Sequence, residues 1–321
     1  MLRCLIAALT FVSLCTSSAT AQGSFPDRPI KVIVPFAAGG GVDVMARLFA
    51  EKAAPALGVP VIVENRAGAS GTIGGQVVHQ ATPDGYTLLF VPLTHVMANN
   101  VLKSVPYNAV DDFTPVARVG ESPMLVILSP KMPQKSLAEV AQAAREHPAD
   151  WTIATSGLGS AGHVAAIELS NVSKANMTIT PYRGTAPALT DVMGGHVQVL
   201  IDSIVTLLPA ARDNKVKALA ITASKRSALA PEVPTAAESG MPSLTFTSWF
   251  GFFGPRGLPQ DVVTKLNATF NEAGKKLAEE KRLDPLGAEP VAETPEEFGR
   301  FVRVQVERNA KLLDGAGFKP Q

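Results

Sequence analysis

Short runs of β-branched and aromatic residues punctuate this chain, and alanine-rich stretches with apolar residues at helical spacing lie between them. The runs are IKVIVP, PVIVE, YTLLFVP, MLVILS, WTIAT, MTITPY, VQVLID and VKALAIT. Such alternation predicts an α/β fold built from βαβ units with parallel sheets, because parallel neighbours need a long crossover and a helix supplies it. Two helix starts carry their own signal. SLAE at Ser136–Glu139 and TPEEF at Thr294–Phe298 read as capping boxes, the second with Pro295 at the first helical position. A turn followed by a long helix is therefore predicted from Gly287 onward.

The first unit, Ile30 to Asn65, runs from strand into three glycines, Gly39, Gly40 and Gly41, and then into a helical pattern. Strand, glycine-rich turn and helix are the parts of a nucleotide phosphate loop, with Glu64 placed about where a ribose-binding acid would sit. The match fails in detail. Val44 occupies the third glycine position of the dinucleotide motif, no Gly-Lys-Ser/Thr follows, and Asp43 in the first helical turn opposes a phosphate. What survives is a helix N-terminus whose free N–H groups face a gap beyond the strand ends. WTIATSGLGSAGHVAAIELS repeats the device without repeating the sequence. Two such loops, one per lobe, are expected to face each other across a crevice at the carboxyl ends of the strands.

The opening residues carry Arg3, an apolar run from Cys4 to Cys15 and the small-x-small triplet Ala19-Thr20-Ala21, which reads as a secretory signal peptide cut before Gln22. The run is shorter than the roughly 20 residues of a spanning helix. Lipidation at Cys15 is disfavoured by the bulk of Leu14. The whole chain has 29 Lys and Arg against 28 Asp and Glu, so loss of Arg3 leaves the mature chain balanced, and both cysteines leave with it. A neutral, cysteine-free chain of about 300 residues must rely on its own core and gives no electrostatic case for nucleic acid or a membrane surface. The expectation is a soluble protein outside the cytoplasmic membrane, not embedded in it.

No linker separates two sequential domains, which fits a chain that crosses between lobes more than once. The crossing candidates are ESPMLVILSP near residue 124 and TFTSWFGFFGP near residue 246. The expected division is a signal peptide at 1–21, lobe 1 at 22–124 plus 245–321, and lobe 2 at 125–244, inserted in lobe 1.

Catalytic motifs are incomplete. GASGT (68–72) lacks the last glycine of a nucleophile elbow, and Leu158 stands where LGSAG needs its first. A secreted serine hydrolase using Ser156 or Ser160 with His163 stays open as the rival reading, and an exported nucleotide-binding protein as a third. The five histidines show no metal-ligand spacing, and no cofactor or metal is expected. The cleft would hold hydroxyls, backbone amides and a few charges: Thr72, Thr94, Ser156 and Ser160 as short donors, Arg183 as a carboxylate partner, and Asp202 as a polar-group reader or helix cap. His163 reads as a packed or capping residue, Trp249 as hinge packing and Arg66 as a tie between loops. Asp43 either caps its own helix or reads a polar group on the ligand. Four or five charge-assisted hydrogen bonds at roughly 1.5–3 kcal/mol each reach the about −8 kcal/mol of micromolar affinity without any arginine.

Taken in order, RPIKVIVPFAAGGGVDVMARLFAEKAAPALGVPVIVENRAGASGTIGG, ATPDGYTLLF, PYNAVDDFTPVA, PYRGTAPALTDVMGGHVQVLID, VPTAAESG and SWFGFFGPRGLPQDVVTKLN resemble the Bug family, the extracytoplasmic receptors of tripartite tricarboxylate transporters. The resemblance implies a two-lobed periplasmic binding protein fold of type II, with two crossing hinge strands and closure around a small organic acid. Membrane transporter subunits or a sensor protein are the implied partners. By position, the first binding loop falls on Phe36, Ala37, Ala38, Gly39, Gly40 and Asp43. The second falls on Ser156, Gly157, Ser160 and His163, a third segment on Tyr182 to Ala186 with Arg183, Gly184, Thr185 and Ala186, and the strand-end acid on Asp202. Leu158 and the glycine-poor VPLTHVMANN depart from the family pattern.

Overall fold

A computed structural model describes residues 25–321. The predicted signal peptide lies outside the described residues. Lobe 1 begins with β1 (Ile30–Val34), α1 (Gly41–Leu57), β2 (Val61–Asn65), α2 (Thr72–His79) and β3 (Thr87–Pro92), followed by the single turns α3 (Leu93–Val96) and α4 (Ala98–Val101). The 16-residue β4 (Phe113–Leu128) then leaves it. Lobe 2 contains α5 (Leu137–Glu146), β5 (Thr152–Thr155), α6 (Ala161–Val172), β6 (Thr178–Pro181), α7 (Thr185–Gly194), β7 (Val199–Ser203), α8 (Ile204–Arg212) and β8 (Lys217–Ile221). The chain returns through β9 (Thr247–Pro255), α9 (Gln260–Glu279), β10 (Glu289–Pro290) and α10 (Pro295–Gly315).

The strand order is β2-β1-β3-β9-β4-β7-β5-β6, with β8 and β10 also on β4. Pairing is parallel where the alternation predicts it, β2 and β3 on β1 and β6 and β7 on β5, and antiparallel wherever a crossing strand is involved. The sheets are therefore mixed, because the segments that travel between lobes run against their neighbours. β4 serves both lobes. Phe113–Pro123 pairs with β9, and Met124–Leu128 pairs with β7 and β8.

Thr222 clasps the two crossings. The Met124 N–H donates to its Oγ1 at 3.3 Å, that hydroxyl donates to the Phe246 carbonyl at 2.5 Å, and the Phe246 N–H donates back to the Thr222 carbonyl at 2.8 Å. Burial is complete there, so each of these bonds satisfies a group that water cannot reach. The second crossing thus occurs at Phe246, just before β9 begins, and Trp249 fills the hinge among Phe253, Phe298 and Phe301.

Three apolar clusters form the layers. One joins β1, β3, β9 and α9 on one face of lobe 1 through Phe49, Phe90, Phe252 and Phe270. Another covers the α7 and α8 face of lobe 2. The third is continuous across both lobes beneath α10, from Ile33 and Leu89 to Val126, Val164 and Ile201. The Thr294 capping box is reciprocal, with Glu297 N–H to Oγ1 at 3.1 Å and Thr294 N–H to the Glu297 carboxylate at 2.9 Å. At Ser136 only half the box forms. Its Oγ accepts from Glu139 N–H, while the Glu139 carboxylate reaches back to Lys135 N–H instead.

Candidate functional site

Three helices start just beyond the carboxyl ends of strands: α1 after β1, α6 after β5 and α7 after β6. In lobe 1 the chain leaves β1 through Pro35 and half-buried Phe36, exposes Ala37, Ala38, Gly39 and Gly40, and enters α1. Gly39 has φ +79°, a left-handed turn that favours glycine. The first intrahelical bond is Val44 N–H to Gly40 O, so the amides of Gly41, Val42 and Asp43 have no acceptor within the helix.

Asp43 is 2% exposed, and its carboxylate is fully committed. Oδ2 accepts from Gly39 N–H at 2.8 Å and Arg47 Nε at 3.0 Å; Oδ1 accepts from Asn65 Nδ2 at 2.8 Å and faces Arg47 Nη2 at 3.0 Å. Burial pushes the carboxyl upward, and the bonds from Arg47, Gly39 and Asn65 outweigh it, holding the group below the usual carboxylate range. The N-cap itself is Gly40. Asp43 works one turn further in, reaching back to its own loop. Asn65 also donates to Phe36 O at 3.1 Å. Neither Arg47 nor Asn65 stood out in the sequence, although Arg47 lies one helical turn from Asp43 and Asn65 ends the neighbouring strand. Arg66 pairs with Glu64 at 3.3 Å at the exit of β2, and Thr72 bonds to Ala69 O. Thr94 sits half-buried on α3, just past the end of β3.

Lobe 2 builds the same turn from other residues. Ser160 N–H donates to Gly157 O, as Gly40 does to Ala37 O, and Val164 N–H donates to Ser160 O, as Val44 does to Gly40 O. Gly159 has φ +72°, and its N–H donates to His163 Nδ1 at 3.2 Å, the counterpart of Gly39 and Asp43. Ser160 Oγ caps α6 by accepting from His163 N–H at 3.1 Å. Burial lowers the His163 pKa to about 4, so the ring is neutral with its proton on Nε2. Its Nδ1 is taken by a backbone amide and the Ser160 hydroxyl by a helix cap, so these three residues form a braced loop with no serine–histidine base pair.

Around Asp202 the remaining lobe 2 candidates converge. Thr185 Oγ1 donates to Oδ2 and Ser203 N–H to Oδ1, both at 2.7 Å. Burial raises the Asp202 pKa against the pull of Thr185, the Ser203 amide and Ser156. Gly184 N–H donates to Ser156 O at 2.9 Å, tying the second loop to the start of α7. Gly157 is half-buried; Arg183 and Ala186 are exposed beside that start. The two lobes touch at Gly159, where an added Cβ would lie 3.1 Å from Val101 and 3.2 Å from Met97 of lobe 1. A separate cavity of about 300 Å³ lies at the hinge, lined by Glu121, Lys225, Phe246, Trp249, Phe301 and Arg308 among others. Among the described residues, no group of three His, Cys, Asp or Glu could hold a metal ion, and no helix is long and apolar enough to cross a membrane.

Residues 45–318 match the tripartite tricarboxylate transporter family receptor. Among known proteins, BugT of Bordetella pertussis is 35% identical over 298 residues, which cover 92% of this chain and 91% of that protein. MatC from Rhodopseudomonas palustris, solved with bound malate, is 37% identical and superposes with a TM-score of 0.79 over 90% of this chain and 100% of its own. An R. palustris protein solved with adipate is 32% identical with a TM-score of 0.81, covering 92% of this chain and all of that one.

Proposed function

The chain belongs to the tripartite tricarboxylate transporter receptor family, and we propose that it captures a small organic carboxylate in the periplasm and presents it to membrane transporter subunits or a sensor. The observation that carries this reading is the pair of like-built turns opening α1 and α6 at the strand ends of the two lobes. Helix starts offer unpaired amides and the positive end of a dipole, which suits an anion. Relatives solved with malate and adipate support the ligand class. The contacting groups are the segment Ala37–Gly40 with the first amides of α1, Thr94, Ser156, Gly157, Ser160, and Arg183 to Ala186. Phe36 forms the apolar wall. Asp43 and His163 shape the loops, and Asp202 sets the Ser156 and Thr185 hydroxyls.

Residues 1–21 act as the export signal, lobe 1 spans 22–124 plus 245–321, and lobe 2 spans 125–244. The mature protein works as a monomer without catalysis. No cofactor enters the reading. The test is a titration with mono-, di- and tricarboxylates, malate and adipate included, read by tryptophan fluorescence and thermal unfolding. Micromolar binding of at least one acid with a rise in Tm is expected, since a ligand of the folded form stabilises it. If no acid moves either signal, the proposal fails.

A further inference from the structure

α10 touches both lobes, and the tail after it returns to the first. Phe298 at the start of α10 packs against Trp249 and Phe253 of lobe 1, and the helix continues along α6 of lobe 2. Beyond Gly317, the Phe318 N–H bonds to Leu313 O at 3.0 Å, which fixes Phe318 at the end of the helix. Its ring meets the His163 ring edge-on, with centroids 5.3 Å apart. Three residues later the backbone of Gln321 pairs with lobe 1: its N–H donates to Val101 O at 3.0 Å, and Lys103 N–H donates to its carbonyl at 2.9 Å. Val101 is also the residue against which Gly159 sits. The contacts therefore close a circuit from Val101 to Gly159, to His163, to Phe318, to Gln321 and back to Val101.

We propose that Phe318–Gln321 is a strap that positions the second-lobe binding loop. Phe318 holds the His163 ring, His163 Nδ1 holds the Gly159 amide, and the Gln321 pairing anchors the far end on lobe 1. The 156–163 loop then meets α4 already ordered, and a ligand need not order it on binding. Phe318 acts through His163 and touches no ligand, so it is a positioning residue. The proposal rests on the reading of this loop as ligand-binding, and its test separates the two.

Amide exchange by mass spectrometry is measured on the mature protein, on Phe318→Ala, on Phe318→Tyr and on a chain lacking residues 319–321, and each is titrated with malate and adipate. Phe318→Ala and the shortened chain are expected to exchange in the 156–163 peptide at least tenfold faster, while β5 and α7 peptides keep wild-type rates. Phe318→Tyr restores protection. Either acid that binds the wild type loses at least tenfold in affinity in the two loosened variants. Wild-type exchange in the 156–163 peptide of both variants overturns the strap. Exchange that rises equally in β5 and α7 also overturns it, because the tail then supports only global stability. Faster exchange confined to the loop upholds the strap even if no acid of the mono-, di- and tricarboxylate panel binds the wild type, and in that case it is the ligand reading that falls.

Discussion

Acid should weaken this protein through His163 well before its carboxylates are protonated. The ring is 2% exposed, its Nδ1 accepts from Gly159 N–H, and it stands in the first turn of α6, where a helix N-terminus disfavours a cation. Burial holds its pKa at about 4 in the folded chain against the usual 6.5 of a histidine. A histidine kept neutral by the fold contributes stability that is fully present above the unfolded pKa and is lost as pH falls, because the unfolded chain takes up the proton first. Between about pH 6.5 and 4 the loss is about 1.4 kcal/mol per pH unit, or about 3 kcal/mol in total. His95 is buried as well, with a pKa of about 3, and adds a similar slope that continues lower. His163→Phe isolates the first contribution: it keeps a ring against Phe318 and removes the titration. Urea unfolding followed by tryptophan fluorescence at pH 7, 6, 5 and 4.5 should show the variant less stable at pH 7 by about 1–2 kcal/mol, since the Gly159 amide loses its acceptor. The gap should then narrow by about 1.4 kcal/mol per unit below pH 6.5. Parallel profiles for the two proteins would refute the neutral, amide-bonded His163.

Asp43→Ala strips an acceptor from Gly39, Arg47 and Asn65, and with Arg47 half exposed the expected cost is about 2 kcal/mol by urea unfolding. The same variant should bind a carboxylate more weakly through disorder of the first loop, as calorimetry would show. Thr222→Val keeps the shape at the hinge but leaves the Phe246 carbonyl and Met124 amide without the hydroxyl; about 2 kcal/mol of stability should be lost in the same assay. Gly159→Ala forces a side chain into a left-handed turn and against Met97 and Val101, so ligand affinity should fall at least tenfold while the far-ultraviolet dichroism is unchanged.

The regular elements were legible because they rest on local chemistry. β-branched runs, alanine-rich helical periods and the Thr294 capping box all report on the backbone within a few residues. The sense of the crossing strands is not legible, since MLVILS and SWFGFF carry no mark of whether a neighbour runs with or against them; it appears only in the long-range pairing, where Phe113–Pro123 runs against Thr247–Pro255 and Met124–Leu128 against Val199–Ser203. The partners of the loops were hidden for the same reason. The sequence leaves Asp43 as a cap or a ligand contact because neither Asn65, twenty-two positions away, nor the back-reach to Gly39 shows in the pattern.

One signal was present in the sequence in disguise. AAGGGVD and GLGSAGH share almost no residues, yet each places glycine in the left-handed region and a side-chain acceptor four positions on, so that Gly39 N–H meets Asp43 and Gly159 N–H meets His163. What is common is the geometry of a captured amide, and either a carboxylate or a neutral imidazole can perform the capture. The choice of acceptor bears on the ligand. An unpaired carboxylate beside a helix start would repel an anion, but Asp43 is neutralised by Arg47 at 3.0 Å, while His163 is uncharged above its lowered pKa. Both turns are thus held rigid without leaving a net negative charge beside the free amides of α1 and α6. Those amides can then favour an organic anion with few basic side chains nearby, which is how a nearly neutral chain can serve as a carboxylate receptor.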